Sequence, residues 1–132
     1  MLSNQNNVVF SGSKVLNFSI IIPTYNESAN IVRLISEIEK NMPGLESTEI
    51  IVVDDNSPDG TGNIVENYVK SKSTGKNEKT LKRNVAELNE TRIKVIHRKE
   101  KNGLIPAIME GVAQSNGKYI LIMDADSHIP QK

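Results

Sequence analysis

The stretch Ile50-Ile51-Val52-Val53-Asp54-Asp55-Asn56-Ser57-Pro58-Asp59-Gly60-Thr61 runs four β-branched residues straight into two carboxylates. The apolar run fits a strand covered on both faces, and the Asn, Ser, Pro, Asp and Gly that follow the acids are turn formers. Two like charges at the mouth of a buried strand stay ionised only where a cation, N–H donors or a ligand compensates them. The plain alternative is that one Asp caps the next helix while the other faces water.

The same grammar recurs on either side of this stretch. Upstream, Phe18-Ser19-Ile20-Ile21-Ile22 predicts a buried strand closed by Pro23, which cannot donate to a sheet ladder. Thr24 to Ser28 forms its exit loop, with Asn26 or Ser28 available to cap a helix and Glu27 suited to the first turn. Ile31, Leu34, Ile35, Ile38 and Met42 fall on one helical face, and Pro43-Gly44 ends that helix. Downstream, Ile64, Val65, Tyr68 and Val69 mark a second helix that Asp59 or Thr61 can cap. Ile93 to His97 predicts a third strand, less uniformly apolar and therefore nearer a sheet edge. Leu104, Ile108 and Val112 mark one side of a third helix that stops at Asn116-Gly117. Lys118 to Met123 predicts a fourth strand, and it too ends on acid, Asp124-Ala125-Asp126.

Two segments stand outside this alternation. Residues 1–17 are polar and without period and read as a loose arm. Between Lys70 and Arg92, Lys and Arg outnumber Glu seven to three, and the expected form is a solvated basic insertion, about 70–92. At 132 residues the chain fits one domain, and its formal net charge of zero gives no whole-protein attraction to nucleic acid. With no cysteine, disulfides and thiolate metal sites are excluded. The apolar runs fall far short of the ~20 residues that span a bilayer, and the N-terminus lacks a signal-peptide layout. The expected location is the cytoplasm, with peripheral association at the cytoplasmic membrane face left open.

Strands and helices alternating through short turns predict an α/β fold with a parallel sheet. In such sheets ligands bind beyond the carboxyl ends of the strands, where strand order reverses. That rim would gather Tyr25, Asn26 and Glu27, then Asp54 and Asp55, then His97 to Lys99, and finally Asp124 and Asp126. Residues i and i+2 of Asp-Ala-Asp can aim at one point, and hard carboxylate oxygens select Mg2+ or Mn2+, which complete their shells with phosphates and water. A receiver-type signalling domain also clusters carboxylates on a parallel sheet. Its acidic pair, however, would follow the first strand, which here ends in Pro23-Thr24-Tyr25-Asn26-Glu27.

Three ordered motifs carry a family likeness. Ser19 to Glu27, Val52 to Thr61 and Met123 to Asp126 closely resemble the start of the inverting, family 2 glycosyltransferases with the nucleotide-sugar-binding, Rossmann-like GT-A fold. Ser57-Pro58-Asp59-Gly60-Thr61, together with Arg98 to Leu104, resembles the polyprenyl-phosphate (dolichyl-phosphate) mannosyltransferase branch. The likeness spans Phe18 to Pro130 apart from the basic insertion. It implies that Pro23, Tyr25 and Glu27 form a nucleotide-binding loop, with Tyr25 packing on the base. It also implies that Val53 and Asp55 hold the nucleoside, leaving Asp54 the more structural of the pair. Asp124, Ala125 and Asp126 match the metal and diphosphate motif, with Asp126 the direct, catalytic ligand, and His128 falls where some members place a further metal ligand.

The implied reaction is an inverting, metal-assisted transfer of a hexose, first of all mannose from GDP-mannose, to a polyprenyl phosphate. Two departures from the pattern are Ser127-His128-Ile129-Pro130 after the metal motif and Leu104-Ile105-Pro106 in place of a glycine-rich turn. In similar proteins the acceptor-binding half follows the position of Lys132, so the chain reads as an incomplete, donor-binding GT-A region, truncated after the fourth strand. The alternative is a catalytically incomplete nucleotide- and metal-binding fragment that is inactive or needs a membrane-associated or second-chain partner.

Overall fold

Isoleucine and valine fill the centre of the sheet because both faces of its inner strands are covered. The computed structural model describes residues 15–42, 44–74 and 92–127, with the elements β1 (Phe18–Thr24), α1 (Ile31–Asn41), a 3-10 turn (Leu45–Ser47), β2 (Thr48–Asp54), α2 (Thr61–Thr74), β3 (Arg92–His97), α3 (Leu104–Ala113) and β4 (Tyr119–Ile122). The four strands are parallel in the order β3-β2-β1-β4, with Ile20 opposite Ile50 and Leu121, and Val52 opposite Val95. As expected, β3 is an edge strand; β4 is the other.

The period of two along each strand divides the core into two layers. Ile20, Ile22, Ile50 and Val52 pack with Ile31, Leu34, Ile35 and Ile38 of α1 and Val65 of α2. Ile21, Ile51, Val53 and Ile96 form the opposite layer, which Ala107 of α3 covers. The four buried α1 side chains contribute roughly 1.5–3 kcal/mol each on removal from water. Glu39 on α1 then joins the two helices of the first layer, accepting from the Tyr68 hydroxyl at 2.6 Å and pairing with Lys72. Burial, together with that neighbouring carboxylate, pushes the Tyr68 phenol up to about 12.

Several expectations are corrected. The third helix does not bury Leu104, Ile108 and Val112: it docks through Ala107 and Gly111, while Leu104 is 57% exposed and Val112 37%. Small side chains four residues apart let the helix backbone settle onto the sheet, and a Cβ on Gly111 would stand 2.6 Å from Cγ2 of Ile21. Neither Asn26 nor Ser28 caps α1; Asn30 holds the N-cap position, and no acid lies in the first turn. Residues 1–14 of the arm read as loose lie outside the described residues; at its described end Asn17 donates to the Ser47 carbonyl at 2.8 Å and accepts from the Tyr119 amide at 2.7 Å. Of the basic insertion expected at about 70–92, Lys70 to Thr74 continue α2 and Arg92 opens β3, while residues 75–91, like Pro43, lie outside the described residues.

Candidate nucleotide-sugar site

Strand order reverses between β1 and β4, and the two strands part there for a local reason. The Ile21 carbonyl accepts from the Met123 amide at 3.0 Å, so alternate β1 residues face β4, and the next of them is Pro23. Pro23 has no N–H to donate, so the ladder stops and the chain ends diverge into a cleft of about 380 Å³. A cleft of that size suits a small-molecule ligand. Pro23, Thr24, Tyr25 and Glu27 line one side, Asp124, Ala125 and Asp126 another, and Asp55, Lys101, Gly103, Leu104 and Ala107 close the rest.

The two acids of the β2 terminus are both buried and both fully engaged. Asp54 accepts from the Thr24 hydroxyl at 2.8 Å, and from the Ser57 amide and hydroxyl at 3.0 and 2.6 Å, so it ties β1 to its own turn. Asp55 turns the other way, into the loop after β3. Its two oxygens accept from the Asn102 amide at 3.2 and 3.1 Å and from the Gly103 amide at 2.9 Å. Arg98 Nε stands 3.0 Å from Oδ1, an ion pair rather than an aligned hydrogen bond, and Arg98 reaches on to Glu110 at 3.0 Å and the Pro106 carbonyl at 2.9 Å. A carboxylate offers about four acceptor sites, and two loop amides together with the Arg98 charge engage both oxygens of Asp55.

The exit loops of β1 and β2 are stitched to each other. Asn26 and Asn56 both take the left-handed backbone conformation, which Asn tolerates better than most residues. The Asn26 amide donates to the Ser57 hydroxyl at 2.9 Å, the Ser28 amide to Asp59 at 3.1 Å, and the Glu27 amide to the Thr61 hydroxyl at 3.0 Å. Asp59 also accepts from the Thr61 amide at 3.1 Å, the first N–H of α2. Desolvation tends to raise the Asp59 pKa, but the hydrogen bonds from Thr61 and Ser28 outweigh it and hold the carboxyl below its ordinary value.

The metal motif stands differently. Ala125 is buried, whereas Asp124 and Asp126 are exposed, and among the described residues no hydrogen bond or ion pair engages either carboxylate. Arg33 of α1 fixes the segment from below by donating to the Ser127 carbonyl at 3.0 Å. Two unengaged hard-oxygen donors facing a cleft fit Mg2+ or Mn2+ in phosphate sites, where one or two carboxylates suffice beside substrate phosphates. No group of three His, Asp or Glu side chains able to hold a metal alone occurs among the described residues, and His128 lies outside them.

Not every expected residue reaches the cleft. Val53 is buried beneath α3, in the core layer with Ile21 and Ala107. The β3 exit does not join the rim directly, because β3 lies two strands from the β1/β4 parting. His97 instead meets Glu66 of α2 at 2.7 Å, and Lys99 lines a separate surface recess with Glu100 and Glu110. Lys101 is the basic side chain that does line the cleft, its Nζ 4.2 Å from the centre of the Tyr25 ring. The loop partners of Asp55 were not foreseen, since backbone amides carry no sequence signature.

Comparison with known proteins agrees with this architecture. The family model described as glycosyl transferase family 2 matches residues 19–132. The chain belongs to that family. Among family 2 relatives, the dolichol-phosphate mannosyltransferase of Pyrococcus furiosus is 35% identical over 112 residues, covering 85% of this chain and 26% of its own length. That of Saccharomyces cerevisiae is 32% identical over 117 residues, covering 87% and 37%. The mannosyltransferase PcManGT of Pyrobaculum calidifontis, solved in complex with GDP-Man and Mn2+, superposes with a TM-score of 0.70 at 23% identity, over 87% of this chain and 29% of that one. TarS of S. aureus, residues 1–349, gives 0.64 at 28% identity, over 84% and 28%. The fold is therefore the Rossmann-like, GT-A form of family 2, and the chain spans between about a quarter and two fifths of the length of the relatives it matches.

Proposed function

We propose that this chain is the donor-binding part of a glycosyltransferase that moves a hexose from a nucleoside diphosphate sugar to a polyprenyl phosphate with inversion. GDP-mannose and a dolichyl-type phosphate are the first substrates to test, because two relatives more than 30% identical bear the name dolichol-phosphate mannosyltransferase. One observation carries the reading: two unengaged carboxylates, Asp124 and Asp126, share a cleft with Tyr25 and Glu27 at the point where strand order reverses.

In this reading Tyr25 packs on the base and Glu27 accepts from base or ribose donors. Asp124 and Asp126 hold the divalent ion beside the diphosphate, Asp126 directly, with His128 a further candidate ligand. A bound Mg2+ or Mn2+ supplies charge stabilisation for the departing nucleoside diphosphate. A prenyl phosphate is already an anionic nucleophile, so the chain needs no strong general base. Its work is to orient the donor, and Ala125, buried between the two acids, keeps their backbone close to the sheet.

The test is calorimetric titration of GDP and GDP-mannose in Mn2+. The wild-type chain is expected to bind, and Asp126→Ala to lose the Mn2+-dependent part of the affinity, at least about tenfold for a lost charge-assisted contact. Equal donor affinity in both would overturn the reading. A second reading, donor binding without transfer by this chain alone, rests on the cleft itself, which Tyr25, Glu27, Asp124 and Asp126 line. Release of labelled mannosyl lipid from GDP-mannose and a polyprenyl phosphate decides between the two.

No helix among the described residues is long and apolar enough to cross a membrane.

A further inference from the structure

Tyr25 and Lys101 line the same cleft and touch each other, with Nζ 4.2 Å from the ring centre. Stacked aromatic rings sit with centroids roughly 4.5–7 Å apart. A base on this face of Tyr25 and the ammonium group where it now lies would claim the same space. Cation and base therefore exclude one another on that face of the ring.

The backbone around Lys101 is held while its side chain is not. Asp55 grips the amides of Asn102 and Gly103, and Arg98 anchors the near end of the loop to Asp55 and Glu110. Beyond this fixed frame Lys101 has a flexible four-carbon stem, and its described contact is the ring. A cation on an exposed aromatic face is weakly held, by a factor of about two to five in an equilibrium constant. Among the described residues that line the cleft, Lys101 is the one base, set against Glu27, Asp55, Asp124 and Asp126.

We propose that Lys101 is a two-position donor residue. With the cleft empty it lies on Tyr25, and when a nucleoside diphosphate enters, the base takes the ring and the ammonium group moves to the phosphates. The residue thereby selects against ligands that bring a base without phosphates, since these must displace the cation and give it no new partner. This inference rests on the reading of the cleft as a nucleoside diphosphate sugar site and adds a residue and a selectivity to it.

The experiment titrates GDP and guanosine separately, in Mn2+, into the wild-type chain, Lys101→Met and Lys101→Arg, with thermal unfolding of each variant as a folding control. Lys101→Met is expected to bind GDP about tenfold more weakly, with a shallower dependence on salt, for loss of an ionic contact to phosphate. The same variant is expected to bind guanosine about two to five times more tightly, because the ring is now uncovered. Lys101→Arg is expected to recover most of the GDP affinity. Opposite signs for the two ligands are the signature, since general damage to the cleft weakens both. Guanosine binding left unchanged or weakened in Lys101→Met, or GDP binding left unchanged, overturns the inference while the donor reading stands. A wild-type chain that binds neither ligand overturns both.

Discussion

Asp54 and Asp55 are neighbours in sequence with opposite allegiances. Asp54 looks back to β1 and its own turn through Thr24 and Ser57, while Asp55 looks forward to a loop 47 residues on. Asp54→Ala leaves the half-buried Ser57 hydroxyl and amide without their acceptor and the buried Thr24 hydroxyl with only its long contact to the Val53 carbonyl. It is expected to lower stability by about 2–4 kcal/mol in urea unfolding, with no change in the denaturant slope. Wild-type stability in that variant would show that Asp54 is not the knot it resembles. The sequence made the need for compensation legible, because paired carboxylates after a buried strand require donors. It could not reveal which donors, because Asp55 is satisfied by the amides of Asn102 and Gly103, and every residue but proline offers such an amide. Tyr25, Glu27, Asp124 and Asp126 were legible for the opposite reason: each sits one to four residues beyond a strand that its own apolar run announces.

Among the elements, α3 was the least readable. A helix usually buries its large apolar side chains, and Leu104, Ile108 and Val112 lie at helical spacing. Yet the contact is made by Ala107 and Gly111, and the backbone, not the side chains, approaches the sheet. Gly111→Ala would bring a methyl within 2.6 Å of Ile21 Cγ2 and 3.0 Å of Val53 Cγ2. The overpacking should outweigh the gain in helix propensity and destabilise by about 1–3 kcal/mol, read in thermal or urea unfolding. A stabilised variant would mean that the helix does not rest on the sheet this closely. The α1/α2 pair carries a pH-dependent tie. The Tyr68 phenol is raised from 10.0 to about 12, so the protonated form is favoured in the folded state. Its contribution is complete below pH 10, the unfolded value, and is lost as the pH rises toward 12. Alkaline titration of the folded protein, followed by phenolate absorbance, should therefore show a late step near pH 12 that Tyr68→Phe removes.

For the molecule as a whole, the alternation of elements pointed to the parallel sheet and to the end where the acids gather, whereas strand order had to come from the structure. Order matters to function because it places β4, not β3, beside β1 and so brings Asp124 and Asp126 rather than His97 to Tyr25 and Glu27. What keeps β4 in that place lies at the far end of the sheet. Glu49, buried on β2, accepts from the Ser19 hydroxyl and the Asn116 amide, each at 2.6 Å, while the Gly117 amide donates to Ser19 at 2.7 Å. A Cβ on Gly117 would strike the β1 backbone at 2.6 Å, so the chain enters β4 as closely as the main chain allows. This anchorage works as a datum for length along the strand. Were it to slip by a single residue, Asp124 and Asp126 would travel some 3.3 Å and exchange the sides of the sheet they address, so the placing of the two free carboxylates is gauged from the opposite pole of the molecule.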